Sequence, residues 1–200
     1  MSRPRPSKGK RAGVGEVRRG ALRVVSGTAG GLRLDAPPGD TTRPTSDRVR
    51  EAVFNALESL GAVEGARVLD AFAGSGALGI EALSRGATHV TFVESDPVAR
   101  GVVAANLAAT SLAERASVVG GDGLRHAAIG PFDLVLLDPP YDTGGWDGLL
   151  AAAAEGLAPD GVVVVESDRE IAVPPSLDAV RVRRYGSTVV TFLSTPGAPS

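Results

Sequence analysis

Read from the N-terminus, the apolar and polar positions fall into three regimes. Residues 1–20 have no periodicity and few core-forming side chains, which predicts a disordered tail. "ALRVVSG" (Ala21–Gly27) and "GLRLDAP" (Gly31–Pro37) then predict two short strands around the Gly-rich turn "GTAGG". After the loop "APPGDTTRP", Thr45 or Ser46 can cap a helix that carries Asp47 in its first turn. Val49, Val53, Ala56, Leu57 and Leu60 form its apolar stripe and Gly61 ends it.

From Ala66 onward strand and helix alternate. "RVLDAFA" (Arg67–Ala73), "HVTFVES" (His89–Ser95), "ASVVGGD", "DLVLLD" and "GVVVVES" (Gly161–Ser167) read as strands. Helices are expected over Gly76–Gly86, from Pro97 to about Ala108, and over "WDGLLAAAAEGL". Strands this apolar need cover on both faces, so the sheet is expected to be parallel and doubly wound. "AVRVRRYG" and "STVVTFLS" meet at Gly186-Ser187 with no helix between them, which predicts an antiparallel hairpin at the end. The expected organisation is a tail (1–20), a hairpin-and-helix extension (21–62), an α/β domain (63–195) and a short C-terminal tail (196–200).

Composition narrows the chemistry. Of 200 residues, 43% are hydrophobic and 22% charged, ordinary for a globular chain. No apolar run is long enough to span a bilayer, and the start lacks the apolar core of a secretory signal. Cysteine is absent, which removes disulfides, thiolate metal sites and a cysteine nucleophile and fits a cytoplasmic setting. The net charge of −2 hides an asymmetry. Residues 1–23 hold eight basic residues against one acid, and the rest hold 13 against 22. A basic arm on an acidic globule points to a polyanionic partner, or else to a solvated tail.

The first strand of the alternating region runs into "DAFAGSGALG", where Gly74, Gly76 and Gly79 spell G-x-G-x-x-G. Such a turn lets backbone approach a ligand at the helix N-terminus, and Glu94, twenty residues after Gly74, can accept both hydroxyls of a ribose. These features suit a nicotinamide dinucleotide and S-adenosylmethionine alike. Asp70 shifts the balance, because an acid beside that turn repels a pyrophosphate but suits an ammonium. Asp122 in "GGDGL" could accept from an adenine amine, or simply cap a helix. Phe72, Ser75 and Gly123 sit in the same two turns and join the expected cofactor set. Three acids at consecutive strand ends suit a cationic cofactor.

"DLVLLDPPYD" poses the remaining question: why an apolar strand should end in an acid, two prolines and an aromatic ring. The exocyclic amine of a nucleobase is a poor nucleophile because its lone pair is delocalised. Asp138 and the carbonyl of Pro139 can accept its N–H bonds and localise that pair. Pro139 and Pro140 hold the carbonyl in a fixed direction, as preorganised catalysis requires. Tyr141 can stack on a base that has left its helix. The alternative is a Pro-rich turn with Tyr141 as packing. His89 and His126 are expected to have no part in the chemistry, and Trp146 to be a packing residue.

"RVVSGTAGGLRL", "RPTSDRVREAVFNAL", "LDAFAGSGALGIEALSRGA", "VESD" and "LLDPPYD" together resemble the RsmD family of bacterial 16S rRNA guanine-N2 methyltransferases, over roughly Leu22 to Leu193. The resemblance implies a Rossmann-like class I methyltransferase fold and S-adenosylmethionine as donor. It implies as acceptor one guanine of 16S rRNA, guanine 966 in the family's rRNA numbering, in an assembled or assembling small subunit. It implies that Asp70, Phe72, Gly74, Ser75, Gly76, Glu94, Asp122 and Gly123 hold the cofactor and that Asp138 to Tyr141 hold the base. Arg23, Arg33, Arg43, Arg48 and Arg50 become candidate RNA contacts, with Arg48 and Asn55 free for a ligand on the helix's polar side. The partner expected is 16S rRNA alone, with no metal and a monomeric enzyme. Three rivals stay open: a DNA adenine-N6 methyltransferase, a nicotinamide oxidoreductase, and a non-catalytic RNA-binding assembly factor.

Overall fold

The structure is a computed structural model that describes residues 22–38, 47–140 and 145–197. The basic tail, the expected cap at Thr45 or Ser46, Arg43 and Tyr141 lie outside the described residues. Helix α1 (Asp47–Ser59) leads into β1 (Arg67–Asp70), α2 (Ala77–Ser84), β2 (His89–Glu94), α3 (Pro97–Ala109), β3 (Ala116–Gly120), the short α4 (Gly123–Ala127), β4 (Phe132–Leu137), α5 (Trp146–Gly156), β5 (Leu157–Ser167), β6 (Asp178–Tyr185) and β7 (Thr188–Ser194). The strands form one sheet in the order β3-β2-β1-β4-β5-β7-β6. Strands β1 to β5 are parallel, and β7 runs antiparallel between β5 and β6. The expected α/β architecture, a mostly parallel sheet with an antiparallel finish, is what the chain adopts.

Alternation along the strands divides the core in two. Val68, Leu134, Leu136, Val164, Val190 and Phe192 point to the face covered by α1, α2 and α3. Leu69, Val135, Leu137, Val163, Val165 and Leu193 point to the face covered by α4 and α5. Right-handed crossovers explain this: the chain winds outward from β1 with its helices on one face, then returns to β4 and winds the other way.

Three local expectations need correction. The N-terminal hairpin is shorter than its apolar pattern: among the described residues, Arg23 and Arg33 form its antiparallel bridge. The backbone N–H groups of Val25 and Ser26 leave the ladder because they donate to the Glu81 carboxylate on α2, at 2.7 and 3.0 Å. Second, α5 ends at Gly156 and β5 begins at once, with Leu157 paired to Phe132 before a register shift to Leu134–Val162. Third, α1 buries Arg50 and Phe54 beside Val53 and Leu57, so its inner face is wider and less apolar than the stripe expected.

Glu81 explains how that face is tolerated. It is fully buried on α2, with Arg85 Nε at 2.6 Å and Arg50 Nε at 3.6 Å. Arg50 also pairs with Asp47 at 2.8 Å and donates to the carbonyl of Arg23. Arg85 reaches Glu58 at 3.2 Å and stacks over the ring of Phe54. Buried charges are tolerated only when paired and hydrogen-bonded. Here two arginines and two backbone amides converge on one carboxylate, so the extension, α1 and α2 hold together as one unit. Ser84 adds to it: its hydroxyl accepts from Ala29 N–H at 2.9 Å and its carbonyl from Thr28 N–H at 2.8 Å.

Candidate active site

The strand order turns back between β1 and β4, and ligands of open parallel sheets bind at the carboxyl ends of the strands at such a point. A cleft of ≈ 240 Å³ lies there, beside the ends of β1, β2 and β3. Phe72, Glu94, Asp122 and Gly123 of the expected set line it, with Ala71, Val93, Ser95 and Gly121. None of these lining residues is basic. Asp70, Gly74, Ser75 and Gly76 do not line it; they belong to the strand end and turn that carry Ala71 and Phe72.

The turn after β1 owes its form to its glycines. Gly74 and Gly76 have φ of +53° and +79°, in the left-handed region that a side chain disfavours. A Cβ on Gly74 would project into open space, so a ligand can approach the backbone there. Gly79 has a different reason: a Cβ would come within 2.3 Å of the Phe92 ring, so its absence lets α2 lie close on β2. Gly123 is similar, since a Cβ there would meet the Ala71 carbonyl at 2.3 Å.

Acids pin this turn from below and from the side. Asp70 Oδ2 accepts from Gly79 N–H at 3.0 Å, and Glu94 Oε2 accepts from Gly74 N–H at 2.9 Å. Glu94 Oε1 takes Asp96 N–H at 2.9 Å and the Ser95 hydroxyl at 3.4 Å, while Oε2 keeps a lone pair for a hydroxyl donor. Asp70 is buried, and desolvation pushes its carboxyl up to about 7, with the Gly79 bond opposing and the Glu94 charge adding to the rise. Asp122 caps α4, its Oδ1 accepting from Leu124 N–H at 3.0 Å, while its side chain still lines the cleft. The capping reading is therefore what the structure shows, at a residue that also lines the cleft. Asn106 joins the parts: its amide donates to Ser75 O at 2.8 Å and to Asp35 O at 2.9 Å and accepts from Asp35 N–H at 2.8 Å.

Across the switch point, Asp138 follows the last residue of β4 and is half-buried. Pro139 is buried and Pro140 exposed. Strands β4 and β5 pair Leu137 with Val165, so the next residues, Asp138 and Glu166, stand on neighbouring strands spaced by about 4.8 Å. Glu166 is buried, pairs with Val190, and lines a small cavity with Val53, Leu78 and Leu136 on the α1 face. Sequence reasoning missed it, reading "VVVVES" only as a strand. Its signal was an acid closing a fully apolar strand next to the D-P-P-Y strand.

The arginines divide. Arg33 and Arg48 are exposed, and Arg23 is exposed while paired with Asp47 at 3.1 Å. Arg50 is a correction: it was expected at the RNA, but it is fully buried and committed to Glu81 and Asp47. Asn55 is not free either, because its Oδ1 accepts from Arg85 Nη1 at 3.1 Å. His126 lies closer to the cleft than expected, its Nδ1 2.9 Å from the Asp122 carbonyl and its ring against Gly121. His89 bonds Ser117 on β3, and Trp146 packs on the α5-side core.

Comparison with known proteins gives a consistent picture. The profile of a family described as "Conserved hypothetical protein 95" matches residues 22–194. The chain is 41% identical over 186 residues to the "Putative rRNA methyltransferase YlbH" of Bacillus subtilis, covering 88% of this chain and 100% of that protein. It is 37% identical over 159 residues to "Ribosomal RNA small subunit methyltransferase D" of Escherichia coli, covering 78% and 79% of the two chains. Among solved structures, "Putative methyltransferase yhhF" from Escherichia coli superposes with a TM-score of 0.77 at 34% identity, over 88% of this chain and 98% of that one.

Proposed function

The chain belongs to the Conserved hypothetical protein 95 family, the family of RsmD, and from that premise we propose that it methylates 16S rRNA. The acceptor is the exocyclic N2 amine of guanine 966, in the family's rRNA numbering, on an assembled or assembling small subunit. S-adenosylmethionine is the donor. The observation that carries the reading is the pair of carboxylates, Asp138 and Glu166, at the adjoining ends of β4 and β5, with β4 paired to β1, whose end borders the acid-lined cleft.

The residues present fit that donor. The cleft walls carry Glu94 and Asp122 and no basic side chain, which suits a sulfonium and an ammonium and disfavours a pyrophosphate. Glu94 would take the ribose hydroxyls, Asp122 and Phe72 the adenine, and the turn at Gly74–Gly76 the methionine end with Asp70 behind it. When bound, the donor supplies an electrophilic methyl group. The chain supplies orientation and acceptors.

Asp138 and the Pro139 carbonyl accept the two N–H bonds of the amine and localise its lone pair. Asp138 can then take the proton once the new bond forms. Glu166 speaks to the choice of base. Guanine presents N1–H beside its N2 amine, a row of donors, whereas adenine and cytosine present a ring-nitrogen lone pair beside theirs. Two adjacent carboxylates suit the first pattern and repel the second. On this reading the enzyme works as a cytoplasmic monomer with rRNA as its partner.

The test is transfer from labelled S-adenosylmethionine to unmodified small subunits, naked 16S rRNA and duplex DNA, with digestion to nucleosides. Label in N2-methylguanosine from rRNA, reduced 100-fold or more in Asp138→Asn with cofactor binding intact, is expected. Label in N6-methyladenosine from DNA would replace the acceptor. No label anywhere, with cofactor bound, would mean a non-catalytic assembly factor.

A further inference from the structure

We propose that the outer edge of the sheet, Arg181 and Arg183 on β6, is a second anchor for the RNA, binding backbone phosphates beside the displaced base. The proposal rests on the RNA reading above but on different residues, far from the arginines of the N-terminal extension in sequence.

Register carries the first half of the argument. Strand β6 pairs antiparallel with β7, and β7 antiparallel with β5, so β6 runs in the direction of β5. Its C-terminal half therefore lies at the carboxyl edge of the sheet, where the candidate site is. The pairings align Glu166 with Val190 and Val190 with Arg183. Asp138 stands one strand further along the same row, so Arg183 is about 14 Å from it by strand spacing. Paired residues share a face, and Val190 and Phe192, the partners of Arg183 and Arg181, belong to the α1-side core. Both arginines thus flank the face onto which Glu166 projects.

Charge carries the second half. Beyond Arg23 the chain holds 13 basic residues, all arginine, against 22 acids, and three of the 13 are Arg181, Arg183 and Arg184. Arg184 points to the opposite face, 3.6 Å from Glu170. Among the described residues neither Arg181 nor Arg183 forms an ion pair. Arg183 is exposed, and among the described residues its guanidinium donates to the Val182 carbonyl. Guanidinium groups at one face of an acidic globule suit phosphate oxygens in geometry and in sign. Charges on an edge strand also guard against strand-to-strand association, which is the competing account. That account does not favour one sign of charge or one face.

The experiment compares the full chain with R181Q/R183Q, R181K/R183K and R184Q. Affinity for unmodified small subunits, 16S rRNA and duplex DNA is measured across salt concentrations, together with kcat and KM for transfer. For R181Q/R183Q the expected result is weaker RNA binding and a salt slope lower by roughly 1.4 to 1.8, two phosphate contacts. KM should rise while kcat and S-adenosylhomocysteine binding hold. The lysine variant should keep most of the slope, and R184Q should match the parent. Unchanged RNA affinity and slope in R181Q/R183Q would overturn the proposal, as would aggregation without loss of RNA affinity, or a loss confined to duplex DNA. A parent chain that binds rRNA but methylates none would defeat the functional reading, while the binding arm would still decide the surface.

Discussion

Two regions of the molecule, the β1–β3 strand ends and the α1–α2 contact, hold polar groups in place by opposite means. On the β1–β3 side the acids hold backbone: Asp70 takes the N–H of Gly79, Glu94 those of Gly74 and Asp96, and Asp122 that of Leu124. Where α1 and α2 meet the N-terminal extension, support comes from side-chain charges buried against each other, with Glu81 between Arg50 and Arg85. Backbone amides are neutral, fixed donors, so the first arrangement keeps its shape when one acid is altered. The second depends on a balance of charges, and removing one leaves its partners buried and uncompensated.

The sharpest way to break the comparison is Glu81→Ala. It strands two buried arginines and two backbone donors, so a loss of about 3–5 kcal/mol is expected, read as a large fall in the thermal midpoint. S-adenosylhomocysteine affinity of the remaining folded protein should hold. A loss under about 1 kcal/mol would show that water reaches the triad and that the two regions do not differ in kind. Glu166→Gln comes next. It removes the negative charge and one of the two acceptor oxygens facing N1–H, and transfer to guanine should fall roughly 10- to 100-fold, the value of a charged hydrogen bond. Equal rates in variant and parent would remove Glu166 from base recognition.

What the sequence disclosed follows the same division. Strands β1, β2, β4 and the apolar part of β5 were legible because doubly covered strands are apolar runs, and the start of α3 because Pro97 suits a first turn. The glycine turn and its acids were legible because local spacing dictates them. Arg50 was not. Its burial depends on Glu81, 31 positions away, and Glu81 itself looked like one polar residue on a short helix. Asn106 is equally silent, since its partners Asp35 and Ser75 meet it only when the extension, α3 and the turn are packed. Glu166 needed the register of β4 against β5. Short-range chemistry shows in a sequence; long-range charge pairing does not.

Asp70 offers an effect with a definite sign. Its folded pKa is raised from 3.8 to about 7. Below pH 3.8 both folded and unfolded chains hold the proton and the group contributes no pH dependence. As pH rises from there to about 7 the unfolded chain releases its proton while the folded chain keeps it, so stability falls by about 1.4 kcal/mol per pH unit. Above that window the loss is complete and constant. Asp70→Asn should therefore gain stability relative to the parent between pH 5 and 7, read from urea midpoints at several pH values. Parallel curves would mean that the folded carboxyl titrates normally.

The smallest effect tests whether the acids of the cofactor region are as separable as the comparison claims. Asp96 caps α3 through Oδ1, which accepts from Val98 N–H at 3.0 Å, while Pro97 needs no partner for its nitrogen. Its own N–H is held by Glu94, a backbone bond that survives loss of the side chain. Asp96→Ala should then cost about 1 kcal/mol of stability, as cap removal does, and leave cofactor affinity where it was. If affinity falls with stability, Glu94 and Asp96 form one coupled turn. Glu94 would then owe its position to the cap of α3, and the cofactor region would depend on side-chain order as the other region does.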